Sequence, residues 1–290
     1  MRKLALLAIL AAPLALAQDW MATSFDHTEV SPGIYMLTGA DGKSGGGGIG
    51  LLVGDEYVVL IDDGFAPLGP ALLEKIKELA GRPADFLINT HAHADHTGSN
   101  QYFGENGAII IAHDKLRSRM ASDPQQNTGP AALPVITFSD AMTFHVNGHE
   151  AFVFHVQPAH TDGDVAILFR EANVIASGDL LFRGLFPFID LDSGGDVSGY
   201  KAAMQKLIDM SDDDTKFISG HGPVATRIDV QQDLGMLIDA EARVKTLVDK
   251  GMTVDEVVAA NPLGIYHDDY NWGFITTERM TRTLYRSLTD

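Results

Sequence analysis

The sequence predicts an α/β fold of the α+β kind, with two mixed sheets packed face to face and helices outside. Three observations predict it. Strand-like and helix-like segments alternate along both halves of the chain, and each half carries its own hairpin signals. No internal repeat or linker divides the 290 residues into independent units. Length and a 45% hydrophobic composition suffice for a large core and exclude a disordered chain.

The elements follow in order. Residues 1–17, MRKLALLAILAAPLALA, combine a basic start (Arg2, Lys3), an apolar run and an Ala-Leu-Ala cleavage site. They read as a secretory signal peptide, too short to span a bilayer comfortably, which leaves 18–290 as the mature domain. The expected location is periplasmic or secreted, with no membrane association after cleavage. Segments 34–37, 50–53 and 57–62 read as strands, separated by the glycine tract 45–48 and by Gly54-Asp55. Residues 67–80 show helical periodicity through Leu72, Leu73, Ile76 and Leu79 and stop at Gly81. Strands are predicted at 85–89 and 108–112, then a short helix at 113–120 and a loop at 122–134. Segments 142–146 and 151–156 flank Asn147-Gly148, a strong hairpin signal. Segments 165–169, 174–176 and 216–219 complete the strands. From 227 to 290 the chain turns helical, at 230–250, 254–260 and 275–288. That extension is suited either to cap a site or to pack on a second subunit, and oligomeric state is not legible.

Charge and cysteine content exclude several functions. The formal net charge of −18, made more negative by removal of Arg2 and Lys3, repels nucleic acids and anionic lipid surfaces. The absence of cysteine removes thiol nucleophiles, iron–sulfur clusters and thiolate-held zinc. The expected partner is a small-molecule substrate.

The chemistry concentrates in Thr90-His91-Ala92-His93-Ala94-Asp95-His96-Thr97-Gly98, directly after the strand at 85–89. Alternate residues of an extended segment point the same way, so His91 and His93 can hold one ion together. Asp95 and His96 fall where the chain turns into a helix and can face a second. His160, Asp179 and His221 are each expected just past the C-terminal end of a strand, beside the small residues Ala159, Gly178, Gly220 and Gly222. Imidazoles with carboxylates suit zinc, and two such sets close together form a two-metal hydrolytic site.

This arrangement, His91-x-His93-x-Asp95-His96 with His160, Asp179 and His221, resembles the metallo-β-lactamase superfamily from about Ile34 to Gly222. The resemblance implies a four-layer αββα sandwich with two Zn2+ per chain in a cleft between sheet edges. His91, His93 and His160 would hold one zinc and Asp95, His96 and His221 the other, with Asp179 between them. Asp62, at the end of an early strand, is either a support for the ligands or a plain turn residue. The implied activity is hydrolysis by a metal-activated water, oriented by Asp95, at the carbonyl of a small cyclic amide, lactone or ester.

Departures from the family pattern bear on substrate. Some β-lactamases of the superfamily carry a metal-binding cysteine where this chain has Asp179, and a lysine three residues later. Here that later residue is Phe182, and the nearest cation is Arg183. β-Lactam turnover is therefore expected to be weak. Phe182, Arg183, Phe186 and Phe188 are candidate pocket residues, with at least one phenylalanine belonging to ordinary core. Asp190, Asp192 and Asp196 give the following loop an acidic cast, read as a solvated loop or as selection against anionic substrates. The glycine tract is read as a flexible turn or a mobile flap. A glyoxalase II-like thioesterase remains an alternative, as does a mononuclear iron persulfide dioxygenase using His91, His160 and Asp179.

Overall fold

The computed structural model describes residues 22–123 and 129–290, so the leader peptide read at 1–17 lies outside the described residues. One sheet has seven strands in sequence order: β1 (Phe25–Ser31), β2 (Ile34–Gly39), β3 (Ile49–Val53), β4 (Val58–Ile61), β5 (Phe86–Ile88), β6 (Ile109–His113) and β7 (Ile136–Phe138). The other holds β8 (Ala141–Val146), β9 (His149–His155), β10 (Val165–Phe169), β11 (Val174–Phe182), β12 (Lys216–His221) and β13 (Ala225–Thr226), with β13 and β8 at its edges. In the first sheet β4 to β7 run parallel, and in the second β11 and β12 do.

Parallel strands need cover on both faces, and the sequence supplies it by alternation. In β4, Val59 and Ile61 face the second sheet and pack with Val153, Ile167 and Ile218. Val58 and Leu60 face outward and pack on Leu72 and Ile76 of α1 (Gly69–Ala80). The same side of the first sheet carries α2 (Ala94–Thr97), α3 (Asn100–Glu105) and α4 (Asp114–Ser122). Outside the second sheet lie α5 (Val197–Asp209), α6 (Arg227–Val248), α7 (Val254–Ala260), α8 (His267–Tyr270) and α9 (Thr277–Thr289). There Tyr200, Leu207, Leu237 and Leu284 pack against Leu168, Ile175 and Phe217. The result is helix, sheet, sheet, helix, and the C-terminal extension is part of the outer layer. No helix among the described residues is long and apolar enough to cross a membrane.

Local signals set the joints. Asn147 and Gly148 both take left-handed backbone, φ 52° and 76°, and close the β8–β9 hairpin with Val146 opposite His149. Thr226 and Asp229 cap the start of α6 reciprocally. Six elements go beyond the sequence reading: β1, β7, β13, α3, α5 and α8. In β1, Phe25 is followed by four exposed residues, so neither apolar alternation nor a hydrophobic run marks the strand.

Candidate metal centre

The ligand-bearing loops leave the sheets at one end of the sandwich. Directly after β5, Thr90 donates its backbone N–H and its hydroxyl to the carboxylate of Asp62, at 2.7 Å each. That clamp fixes the extended stretch that carries His91 and His93 before the chain turns into α2, where Asp95 and His96 sit. His160 follows β9. Asp179 departs from the expected position: β11 continues to Phe182, and its register with β12 slips around Gly178, so Asp179 projects from a bulge within the strand. His221 is likewise the last residue of β12 rather than a residue beyond it.

The structure brings all seven candidate ligands together in two groups. His91, His93, His160 and Asp179 form one, and Asp95, His96 and His221 the other, with the ligand atoms of each group within 4.8 Å of one another. Asp179 stands between them. Its Oδ2 is 3.7 Å from His91 Nε2, 3.3 Å from His160 Nε2 and 3.5 Å from His221 Nε2, and its Oδ1 is 3.1 Å from His96 Nε2.

Surrounding groups hold four of the five imidazoles with one nitrogen turned inward. His160 Nδ1 donates to the Phe188 carbonyl at 2.6 Å. His96 Nδ1 donates to Asp62 at 2.7 Å, and His91 Nδ1 donates to the Thr90 hydroxyl at 3.0 Å. His93 Nε2 donates to Asp190 at 2.9 Å, which leaves its Nδ1 facing His160 Nε2 at 2.8 Å. Asp62, buried at φ 59°, thus reaches two histidines, one directly and one through Thr90. Carboxylate–imidazole pairs of this kind fix the tautomer and make the inward nitrogen a better ligand.

The donor set fits metal ions. His91 Nε2, His96 Nε2 and Asp179 Oδ1 are buried without any hydrogen-bond partner, which is costly unless a cation completes them. Burial pushes the His91 and His160 imidazoles down, His160 to about 4 against the pull of Asp179, so both are neutral donors. Burial also acts to lower His96 and His221, but the Asp179 and Asp95 carboxylates outweigh it and raise His221 to about 9 and His96 well above its usual range. Asp95 is held at about 2: burial raises it, and the charge on His96 and the bond from His221 more than offset that. Buried carboxylates therefore draw positive charge into the second group, whether protons or a metal ion.

A cavity of about 570 Å³ opens onto both groups, reaching His93, Asp95, Asp179 and His221. Phe65, Phe182, Phe188, Trp272 and Phe274 form most of its wall. Two pocket expectations need correction. Arg183 points away from the cavity and pairs with Asp229 at 2.6 Å and Asp233 at 3.3 Å on α6. Phe186 is fully buried core, and its carbonyl accepts the Trp272 indole N–H at 2.9 Å. The glycine tract is also more constrained than a flap. Gly47 N–H donates to the Asp95 carbonyl and Gly48 N–H to that of Gly220, and a Cβ on Gly47 would overlap the His96 ring.

Sequence reasoning missed Thr90, Phe65, Ser44 and Phe274, and it read Asp190 only as loop charge. Asp190 lies 97 positions from the histidine it orients, so no local spacing reveals the pair.

Comparison with known proteins agrees with this geometry. A "probable metallo-hydrolase YqgX" of Bacillus subtilis is 28% identical over 189 residues, spanning 63% of this chain and 87% of the relative. The chicken "acyl-coenzyme A thioesterase MBLAC2" is 25% identical over 225 residues, 68% of this chain and 78% of the relative. Among solved structures, the metallo-beta-lactamase from Pontibacter korlensis superposes with a TM-score of 0.64 at 20% identity, over 74% of this chain and all of that one. The sequence profile of the metallo-beta-lactamase superfamily matches residues 45–222, which hold every candidate ligand. With that profile covering most of the chain and both ligand groups assembled at the end of an αββα sandwich, this protein belongs to the metallo-beta-lactamase superfamily and is a metal-dependent hydrolase.

Proposed function

We propose that the protein is an exported, binuclear zinc hydrolase that cleaves the bond from the carbonyl carbon to the leaving oxygen, sulfur or nitrogen in a small lactone, ester, thioester or cyclic amide with an apolar acyl group. One observation carries this reading: two ligand groups sharing Asp179 form the floor of a single aromatic-walled cavity. His91, His93, His160 and Asp179 would hold one ion, and Asp95, His96 and His221 the other, with Asp179 reaching both. Zinc there would polarise the substrate carbonyl and make water ionise near neutral pH.

The remaining work falls to the chain. Asp95, ionised at neutral pH and facing the cavity, orients the attacking water by accepting a hydrogen bond from it. Asp62, Asp190 and the Phe188 carbonyl keep the imidazoles from rotating. The aromatic wall seats an apolar acyl group and excludes bulk water, which strengthens every charge interaction inside.

Phe182 occupies the place of the drug-binding lysine of some β-lactamases, and no lysine or arginine lines the cavity among the described residues. Weak β-lactam turnover is the expectation. The match to the chicken thioesterase, over two thirds of this chain, keeps thioesters in the substrate class. The complete second ligand group weighs against the single-iron persulfide dioxygenase reading.

Metal analysis of protein purified without added metal, with a panel of one β-lactam, one acyl lactone, one ester and one thioester, tests the proposal. Near two zinc per chain with turnover of a panel member supports it. One iron per chain, oxygen uptake and no hydrolysis would overturn it.

A further inference from the structure

Beside the metal cavity, across Phe188, lies a second groove of about 270 Å³, whose far side is made by Arg279, Arg282 and Arg286 of α9. Its near side carries Asp190 and Asp192. The acids are already engaged: Asp190 accepts from His93 and from the Ser193 N–H, and Asp192 pairs with Arg286 at 2.6 Å. Both acids stay ionised, Asp192 offset by Arg286, and the groove wall sets three guanidinium groups against two carboxylates.

The arginines are not equivalent. Arg282 pairs with Asp255 at 3.0 Å and with Glu278 at 2.9 Å, and Arg286 with Asp192 and Asp290. Arg279 has no carboxylate partner among the described residues. Its guanidinium lies 5.0 Å from the Phe188 ring centroid and 4.2 Å from that of Phe274, and Nη1 donates to the Phe274 carbonyl at 3.0 Å. Phe188 and Phe274 also wall the metal cavity. Stacking on the two rings orients the guanidinium, and Nε and Nη2 keep their in-plane donors uncommitted. In a chain with 39 acidic and 21 basic residues, an arginine without a carboxylate partner at the rim of the reaction cavity stands out.

We propose that Arg279 and this groove bind an anionic oxygen group, a carboxylate or a phosphate, on the part of the substrate that extends past Phe188. The inference rests on the hydrolase reading and narrows its substrate to an amphiphile: an apolar acyl group in the aromatic cavity and an anion in the groove. A planar guanidinium with two free donors matches either oxyanion in bidentate fashion.

The test compares three probes on wild type, Arg279→Ala and Arg279→Lys. They are 4-nitrophenyl butyrate, the 4-nitrophenyl monoester of glutaric acid, and butyryl-coenzyme A with its released thiol read by a chromogenic disulfide. The chain has no cysteine to interfere with that readout. For an anionic probe, kcat/KM relative to the neutral ester is expected to fall about tenfold in Arg279→Ala, the scale of one lost charge-assisted hydrogen bond, chiefly through KM. Arg279→Lys should restore part of it. Loss on the glutarate ester assigns a carboxylate, and loss on the coenzyme A ester a phosphate. An unchanged ratio for both overturns the proposal and leaves Arg279 a packing residue.

If no probe is hydrolysed, the hydrolase reading fails, and tryptophan fluorescence still decides the groove, because Trp272 packs on Phe274 at a centroid distance of 5.7 Å. Saturable quenching by glutarate or coenzyme A, weakened about tenfold in Arg279→Ala, supports an anion site on its own. No saturable change, or equal affinity in both proteins, overturns it.

Discussion

Asp62 acts on two imidazoles at once, and it does so from backbone that few residues tolerate. Asparagine shares the tolerance for φ near 59° and keeps the side-chain shape, so Asp62→Asn isolates the effect of the charge. The variant is expected to bind metal in the group containing His96 about 10–100-fold more weakly, the usual cost of losing such a support. Metal content after dialysis against buffered zinc measures it, and wild-type content at every zinc level would mean that Asp62 only shapes the turn. The second residue-scale prediction concerns protons. Burial works to lower His96 and His221, yet their carboxylate neighbours raise both above neutrality, so each carries a proton at pH 7 when metal is absent. A cation must displace them, so its affinity rises with pH from 7 toward 9 and falls on acidification. About two protons should be released per chain on filling that group at pH 7. Calorimetry in two buffers of different ionisation enthalpy counts them.

At the scale of elements, α6 shows how the outer layer is fastened. Its first turn is capped by Thr226 and Asp229, and Arg183, at the end of β11, grips Asp229 and Asp233. An arginine beside the site in sequence thus serves as an anchor between a strand and a helix. Gly235, mid-helix and exposed, has nothing within 4 Å of the position a Cβ would take. Gly235→Ala should therefore raise stability by about 0.5–1 kcal/mol through helix propensity alone. A higher denaturant midpoint with unchanged metal content is the expected result, and a lower midpoint would show a packing constraint that the space around Gly235 does not reveal.

For the whole molecule, the site is a joint between halves. His91, His93, Asp95 and His96 follow β5 of the first sheet, whereas His160, Asp179 and His221 belong to the second. Each ligand group draws on both sides, so bound metal ties the two sheets together. Chelation is then expected to lower thermal stability as well as abolish activity, because the folded state loses binding energy that the unfolded chain never had. Scanning calorimetry with and without chelator, followed by zinc restoration, checks this. An unchanged midpoint with full loss of activity would confine the metals to chemistry. The C-terminal helices complete the same design by placing Trp272 and Phe274 over the cavity, although both lie beyond the superfamily match at 45–222.

Whatever depends on neighbours in the chain was legible in the sequence alone. The pairing of His91 with His93 follows from a two-residue repeat after a strand, the β8–β9 turn from Asn147-Gly148, and the α1 stripe from helical spacing. The alternation of strand-like and helix-like segments along both halves, each with its own hairpin signals, implied two sheets with helices outside. Whatever depends on which distant segments meet was decided by the tertiary structure. Arg183 and Phe186 flank the site in sequence yet turn into the outer layer, because Asp233 and the core around Tyr270 lie there. Asp190 finds His93 across 97 positions, and Trp272 and Phe274 reach the cavity only because the C-terminal helices fold back over the second sheet. Side-chain direction at such places is set by packing among elements far apart in the chain, and no local period encodes it.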